Sequence, residues 1–302
     1  MVSVTRRSYS QVLLPYALVA PAFALMLGVL VYPLLNSVVQ SFWSETTVFS
    51  PARFVGLANY QSVVNDPIFG RAIGNTLYWT IAVTGLQFAL GLYFAMLLHQ
   101  RFRGRGLYRG VIILPWLVPS VVAALGWAFM FNADYGVINQ TLRQQGLGSF
   151  AHPWLGDPST AMLTAIGLGA WKGYGFYVLM LLAGLQNISV DLYEAARIDG
   201  ANVGQLFRYI TLPGLRPIIL SSVLLGLIWT ANYFDAIFIL TGGGPARLTE
   251  TMPIFVYVTA FSNFNLNEAI AGSNLLLLIV LGIIAVYLVL FTRVSTSEDR
   301  LL

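Results

Sequence analysis

Residues 72–98 read AIGNTLYWTIAVTGLQFALGLYFAMLL, without a single charged side chain. A helix needs about 20 apolar residues to cross the hydrocarbon core of a bilayer, and this stretch exceeds that length. Working outward, five more stretches pass the same test: Val12–Leu35, Gly110–Phe131, Ser159–Leu185, Pro217–Leu240 and Ala269–Thr292. Only the fourth and fifth spans carry a charge, Lys172 and Asp235 respectively. The expected fold class is all-α, a polytopic membrane protein of six transmembrane helices forming one domain over residues 1–302. One further apolar patch, Met252–Phe261, is too short to span and starts beside Pro253. It reads as a surface-lying or re-entrant segment.

Composition supports this reading. Of 302 residues, 57% are hydrophobic and 9% charged, against roughly 25% charged in a soluble domain. So few charges cannot cover a soluble surface, so lipid must cover much of it. The absence of cysteine excludes disulfide and thiolate chemistry. His99 and His152 stand far apart, without metal-ligand spacing. The first apolar run follows Arg6 and Arg7, as a secretory signal would, but it is longer than a signal's apolar core. It is expected to stay as a membrane helix.

Basic residues set the orientation. Arg101, Arg103, Arg105 and Arg109 crowd the loop between spans two and three, and Arg197, Arg208 and Arg216 lie between spans four and five. Arg6, Arg7, Arg293 and Arg300 sit at the ends. The alternate loops hold only Arg53, Arg71, Arg143 and Arg247. Both termini and the two Arg-rich loops are therefore expected in the cytoplasm. The Arg101–Arg109 cluster lies between two spans, which favours a topological role over nucleic-acid binding. Small residues and prolines in the spans, such as Pro15, Pro21 and Pro33, or Pro115 and Pro119, suit bent, closely approaching helices. Ordinary membrane composition enriches both types as well.

The segment 191–217 is neither apolar enough to cross nor irregular enough to be a loop. Leu192, Ala195, Ala196 and Ile198 fall largely on one helical face, Glu194 and Arg197 on another. Asp191 suits a first helical turn, and Gly200 is a natural stop. A second short helix over Asn202–Ile210 opens at a capping Asn202. Pro213 and Pro217 are expected to close it and redirect the chain into span five. Two short helices meeting at a glycine form a knob that can fit a groove on a partner, or rest on lipid headgroups.

Within this segment Glu194-Ala195-Ala196, Gly200, Ile210, Leu212 and Pro213 resemble the signature loop of permease subunits of binding-protein-dependent bacterial ABC importers. The flanking Leu185-Gln186 and Leu240-Thr241-Gly242-Gly243-Gly244-Pro245 resemble the carbohydrate-uptake, maltose-F-like branch. The resemblance covers roughly Ala17–Thr292, without the extra N-terminal spans of the longest members. It implies a subunit of the bacterial cytoplasmic (inner) membrane that imports a sugar or similar polyhydroxylated solute by alternating access. It also implies a second, maltose-G-like permease subunit, an extracytoplasmic solute-binding protein and a cytoplasmic ATPase dimer. Tyr193, Glu194, Ala195, Ala196, Asp199 and Gly200 would form the coupling helix that docks on the ATPase. No Gly-x-x-x-x-Gly-Lys-Ser/Thr loop occurs in the chain. Any ATP and Mg would therefore be held by the partner ATPase, and this chain is expected to be non-catalytic, with no cofactor or metal of its own.

The resemblance carries solute contacts to Lys172, Gly173, Phe176, Thr230 and Tyr233. Tyr174, Tyr177, Asn232 and Asp235 join them because aromatic faces mixed with hydrogen-bonding groups suit a hydroxyl-rich ligand. A carboxylate within an apolar span costs at least ~2.5 kcal/mol, so Asp235 is expected to face protein or water. An ion pair between Lys172 and Asp235, and simple bundle packing of Tyr174 and Tyr177, are the structural alternatives. A self-contained secondary transporter remains an alternative function; the two halves show no clear repeat, and it gives the loop at Glu194–Pro213 no role. No paired carboxylates or nucleophile constellation supports a membrane enzyme.

Overall fold

The computed structural model describes residues 9–44 and 51–298. Arg6, Arg7 and Arg300 lie outside the described residues. Among the described residues the extended elements are all helices, and five of them are long and apolar enough to cross a membrane, or six if one bent pair counts as a span. By contacts it groups into two compact units. One comprises residues up to Asn65 with Val256–Leu275, the other Asp66–Phe255 with Leu276 onward.

In the first unit, α1 (Tyr9–Met26) runs through a π turn at Leu27–Val31 into α2 (Tyr32–Gln40). Pro33 stands in the first turn of α2, and the π turn just before it absorbs the missing N–H and the ring. None of the most apolar window of Leu18–Gln40 is buried by the chain itself, so this helix offers its side chains to lipid or another subunit. A short α3 (Ala58–Asn65) is tied down by polar groups. Asn59 donates to the Ser41 and Trp43 carbonyls at 2.8 and 2.9 Å, and Ser62 donates to Glu268 at 2.9 Å.

The second unit is organised on α4 (Phe69–His99) and α8 (Ala161–Gln186), which pack along their length. Membrane helices have no hydrophobic drive to associate, so close backbone approach over small residues does the work. A Cβ at Gly91 would collide with Tyr177, and one at Gly169 would meet Trp79 at 2.9 Å. One at Gly184 would meet Leu215 at 2.8 Å. The core beneath is apolar, with Ala95, Leu98, Tyr177, Leu181 and Leu215 fully buried.

The third span is not one helix. It is α5 (Arg105–Leu117) and α6 (Ser120–Met130), bent by 90°. Proline disfavours helical backbone in the residue before it. Val118 is accordingly extended (φ −63°, ψ 132°) ahead of Pro119, whose own ψ is 137°. Between α6 and α8 lies a folded connection with α7 (Val137–Gln144), pinned by buried Asn139. Asn139 accepts from the Trp154 indole at 2.8 Å and donates to the Ala133 and His152 carbonyls.

Three further expectations are corrected. After α9 (Val190–Ile198), the second short helix does not close at Pro213. α10 (Val203–Leu206) runs through a π turn at Phe207–Thr211 into α11 (Leu212–Ala231), a continuous apolar helix over Val203–Ala231. Pro213 falls in the first turn of α11, where its missing N–H costs little. The fifth span also stops short of Leu240. It breaks after Ala231 and resumes as α12 (Asp235–Thr241). Finally, α13 (Met252–Tyr257) does not lie on the surface: Met252, Ile254 and Phe255 are fully buried. The last long helix is α14 (Leu266–Glu298).

Candidate functional site

A cavity of about 130 Å³ opens midway along α4 and α8, closed by the end of α11 and by Trp116 at the bend of the third span. The packing that shapes it follows from the breaks. α11 ends where Asn232 turns its amide back onto the Ile228 carbonyl at 2.9 Å, a local bond that competes with helix continuation. The freed Thr230 carbonyl accepts from the Trp79 indole at 3.0 Å and from the Tyr233 amide at 3.2 Å. Tyr233 then lies parallel to Trp79, with ring centroids 6.2 Å apart.

α8 supplies Gly169, Lys172, Gly173, Phe176 and Tyr177 to the wall. Phe176 is held edge-on by Trp229 at 5.1 Å and flanked by Trp116 at 6.2 Å. Lys172 reaches toward the Trp116 carbonyl at 3.5 Å. The Tyr177 hydroxyl is fully buried without a hydrogen-bond partner among the described residues. The arrangement offers aromatic faces, one ammonium and a few hydroxyl and amide groups at the edge of an apolar cleft. That mixture can orient an uncharged polar molecule or an anion, and no nucleophile–base pair is present among the lining residues.

Of the nine residues expected to meet solute, the structure brings Lys172, Gly173, Phe176, Tyr177, Thr230 and Tyr233 to this wall. Three stand elsewhere. Tyr174 packs in the core against Phe94 at 5.5 Å. Asn232 is exposed and spends its amide on ending α11. Asp235 is exposed in the first turn of α12. It is neither inside a continuous span nor paired with Lys172, and its charge sits where the helix dipole favours it. Val83, Gln87, Trp116, Gly169, Gly226 and Trp229 complete the wall without having been singled out. Gln87 carried a signal, an amide near the middle of the 72–98 run, and Trp116 stands next to Pro115, one of the prolines that suit a bent helix, although the helix runs through Pro115 and breaks at Val118–Pro119.

A second feature lies on the segment 190–206. Ser189 caps α9 by accepting from the Asp191 amide at 3.3 Å. Its other end is a Schellman stop, with the Ala201 amide on the Ala196 carbonyl at 2.9 Å and the Gly200 amide on Arg197 at 3.1 Å. Gly200 adopts φ +82°. Asn202 and Gln205 then cap α10 reciprocally. Tyr193 and Ala196 turn inward, Tyr193 through a 3.0 Å hydrogen bond with Thr211. Glu194, Ala195, Asp199 and Gly200 face outward. So do Ile198 and Val203, 86% and 81% exposed.

Beyond α12 the Gly-Gly-Gly-Pro run enters a folded loop. Gly242 and Gly243 take φ of +58° and +90°. Asn75 donates to the Leu248 and Glu250 carbonyls at 3.0 and 2.9 Å. Glu250 is buried and grips Arg247 bidentately at 2.5 and 2.6 Å. That bond holds the guanidinium pKa above its ordinary value.

Residues 87–298 match the family described as binding-protein-dependent transport system inner membrane component. The trehalose/maltose transport system permease protein MalF of Thermococcus litoralis is 34% identical over 287 residues, covering 94% of this chain and 95% of that one. The sn-glycerol-3-phosphate permease protein UgpA of Agrobacterium fabrum is 34% identical over 274 residues, covering 90% and 92%. A chain of a bacterial alginate ABC transporter, crystallised with its alginate pentasaccharide-bound periplasmic protein, shares the fold. Its TM-score is 0.82 at 22% identity, covering 93% of this chain and 95% of that one. The chain belongs to the family of binding-protein-dependent transport inner membrane components, as a multi-pass permease subunit of an ABC importer.

Proposed function

We propose that this permease carries a sugar or related polyhydroxylated solute through the cleft between α4, α8 and α11. The observation that carries the reading is the wall itself: Phe176, Trp229 and Tyr233 present aromatic faces beside Lys172, Thr230 and Gln87. Sugar rings stack their C–H faces on aromatics, and their hydroxyls need hydrogen-bonding partners. Relatives named for trehalose/maltose and for sn-glycerol 3-phosphate support the solute class. The cavity is smaller than the ~300–1,000 Å³ of a pocket that encloses a ligand. A second permease subunit facing this wall would complete it.

The solute arrives from an extracytoplasmic binding protein, and transport is driven by a separate cytoplasmic ATPase dimer that holds the ATP and Mg. Tyr193, Glu194, Ala195, Ala196, Asp199 and Gly200 form the knob that seats on that ATPase. The support is chemical: exposed Ile198 and Val203 beside Glu194 and Asp199 make an apolar tip with an acidic rim. Both termini face the cytoplasm on this reading.

The test is uptake by proteoliposomes holding the whole transporter, screened with maltose, trehalose and sn-glycerol 3-phosphate. Lys172→Ala and Tyr233→Ala should each lower uptake while the complex stays assembled. Wild-type uptake in both variants at subsaturating solute would remove the cleft from the path.

A further inference from the structure

We propose that Gln87 is a specificity-determining residue of this permease, reading one hydroxyl of the transported solute from the wall opposite α8. The inference rests on the reading that the cleft is the solute path.

Gln87 projects from the apolar middle of α4 and is 9% exposed. A buried carboxamide in a membrane helix is costly unless its groups are paired. It has two N–H donors and an acceptor oxygen. One N–H is used, donating to the Gly169 carbonyl at 2.8 Å. The Oε1 has no protein partner among the described residues, yet the residue lines the cavity.

The helix opposite is shaped to receive this amide. A Cβ on Gly173 would overlap the Gln87 carboxamide itself. Gly169 and Gly173 are one turn apart on α8, so the first supplies the carbonyl that orients the amide and the second the slot it lies in. Orientation matters for discrimination. A fixed acceptor that loses its partner when a hydroxyl is missing rejects the deoxy ligand far more strongly than a flexible one. With Nε2 held on the Gly169 carbonyl, Oε1 is presented in a fixed direction, and a solute hydroxyl that meets it must donate.

The experiment uses proteoliposomes with the complete transporter, fed whichever of maltose, trehalose or sn-glycerol 3-phosphate the wild type takes up, and its monodeoxy analogues. Gln87→Met keeps the volume and removes the amide; Gln87→Asn keeps an amide but withdraws it by one methylene. We expect Gln87→Met to lower kcat/KM for the parent solute about tenfold while changing uptake of one monodeoxy analogue less than twofold. Gln87→Asn should shift the same ratio in the same direction. A purely structural amide would lower parent and analogues by one common factor, and that result, no change in any, or failure of both variants to assemble overturns the inference. Lys172→Ala and Tyr233→Ala run in parallel. If they depress uptake and Gln87 does not discriminate, only this inference falls. If neither affects uptake, or the wild type moves none of the three, the cleft reading falls and takes the Gln87 inference with it.

Discussion

The indole of Trp79 donates a 3.0 Å hydrogen bond to the carbonyl of Thr230, 151 residues away in the chain. The bond joins one helix to a carbonyl in the last turn of another, where that helix breaks and its regular ladder ends. Trp79 is 1% exposed, so the bond is made away from bulk water. Trp79→Phe keeps a ring beside Tyr233 and removes the donor. A buried carbonyl left with a weaker set of partners costs about 1–3 kcal/mol. The purified complex should melt at lower temperature, and uptake should fall through KM, because the break that positions Tyr233 loses the bond that anchors it. Unchanged melting and uptake would show that the break is held without this bond.

Gly200 sits at φ +82° with no atom near a built Cβ. Space is therefore not the constraint; backbone conformation is. Gly200→Val places a β-branched residue at positive φ, costing about 1–3 kcal/mol locally. No span is touched, so membrane insertion should stay normal. ATPase co-purification, or uptake per ATP hydrolysed, should drop. Glu194→Lys, reversing a charge on the exposed rim, should act the same way. Wild-type coupling in both variants would reduce the knob to a headgroup-resting helix pair.

Asp235 and Tyr174 provide the contrast to Lys172 and Tyr233. Asp235 is exposed in the first turn of α12, and Tyr174 is packed in the core. Asp235→Asn should leave solute KM within about twofold of wild type, with at most ~1 kcal/mol lost from the helix-terminus charge. Tyr174→Phe should behave similarly, since its ring packing is kept. A tenfold KM change in either would mean that the solute path runs beyond the cleft described above.

Arg247 and Glu250 lock the loop after α12, and Glu250's side chain is only 3% exposed. Arg247→Ala strands a buried carboxylate, which typically costs about 3–5 kcal/mol when the partner is removed. Solvent reaches the Arg247 side, at 38% exposure, so the lower end is expected. Thermal denaturation of the complex measures it. Adding Glu250→Gln should restore part of the loss, because the unpaired charge is then gone. A double variant no more stable than Arg247→Ala would refute the pairing argument.

Topology is tested by reporter fusions. Gly104 and Gly204 lie within the two Arg-rich segments and should report the cytoplasm, while Gly148, in the connection between α6 and α8, should report the outside. A cytoplasmic signal at Gly148 would break the orientation drawn from the arginines.

What could be read from the chain alone is what local physics controls. Span lengths follow from runs of apolar residues, because a bilayer leaves the backbone no other way to satisfy its polar groups. The Gly200 stop and the Asn202 cap at 190–206 were legible because each closes within a few residues, while the Ser189 cap and the Gln205 half of the capping box came only from the structure. The prolines of the third span suited a bent helix as well as ordinary membrane composition, and they fixed neither where the break falls nor its angle. The cleft was only half legible. Lys172, Phe176 and Tyr233 stand out in an apolar context, but whether a side chain lines a cavity depends on which helix faces it. Asp235 looked like a buried charge until the Asn232 turn ended α11 before reaching it. Gln87 looked like one polar residue among several until Gly169 and Gly173, more than eighty residues downstream, made its slot. The Asn232 turn is local, but the Gln87 pairings join distant points of the chain, and only the packing of helices on one another decides them.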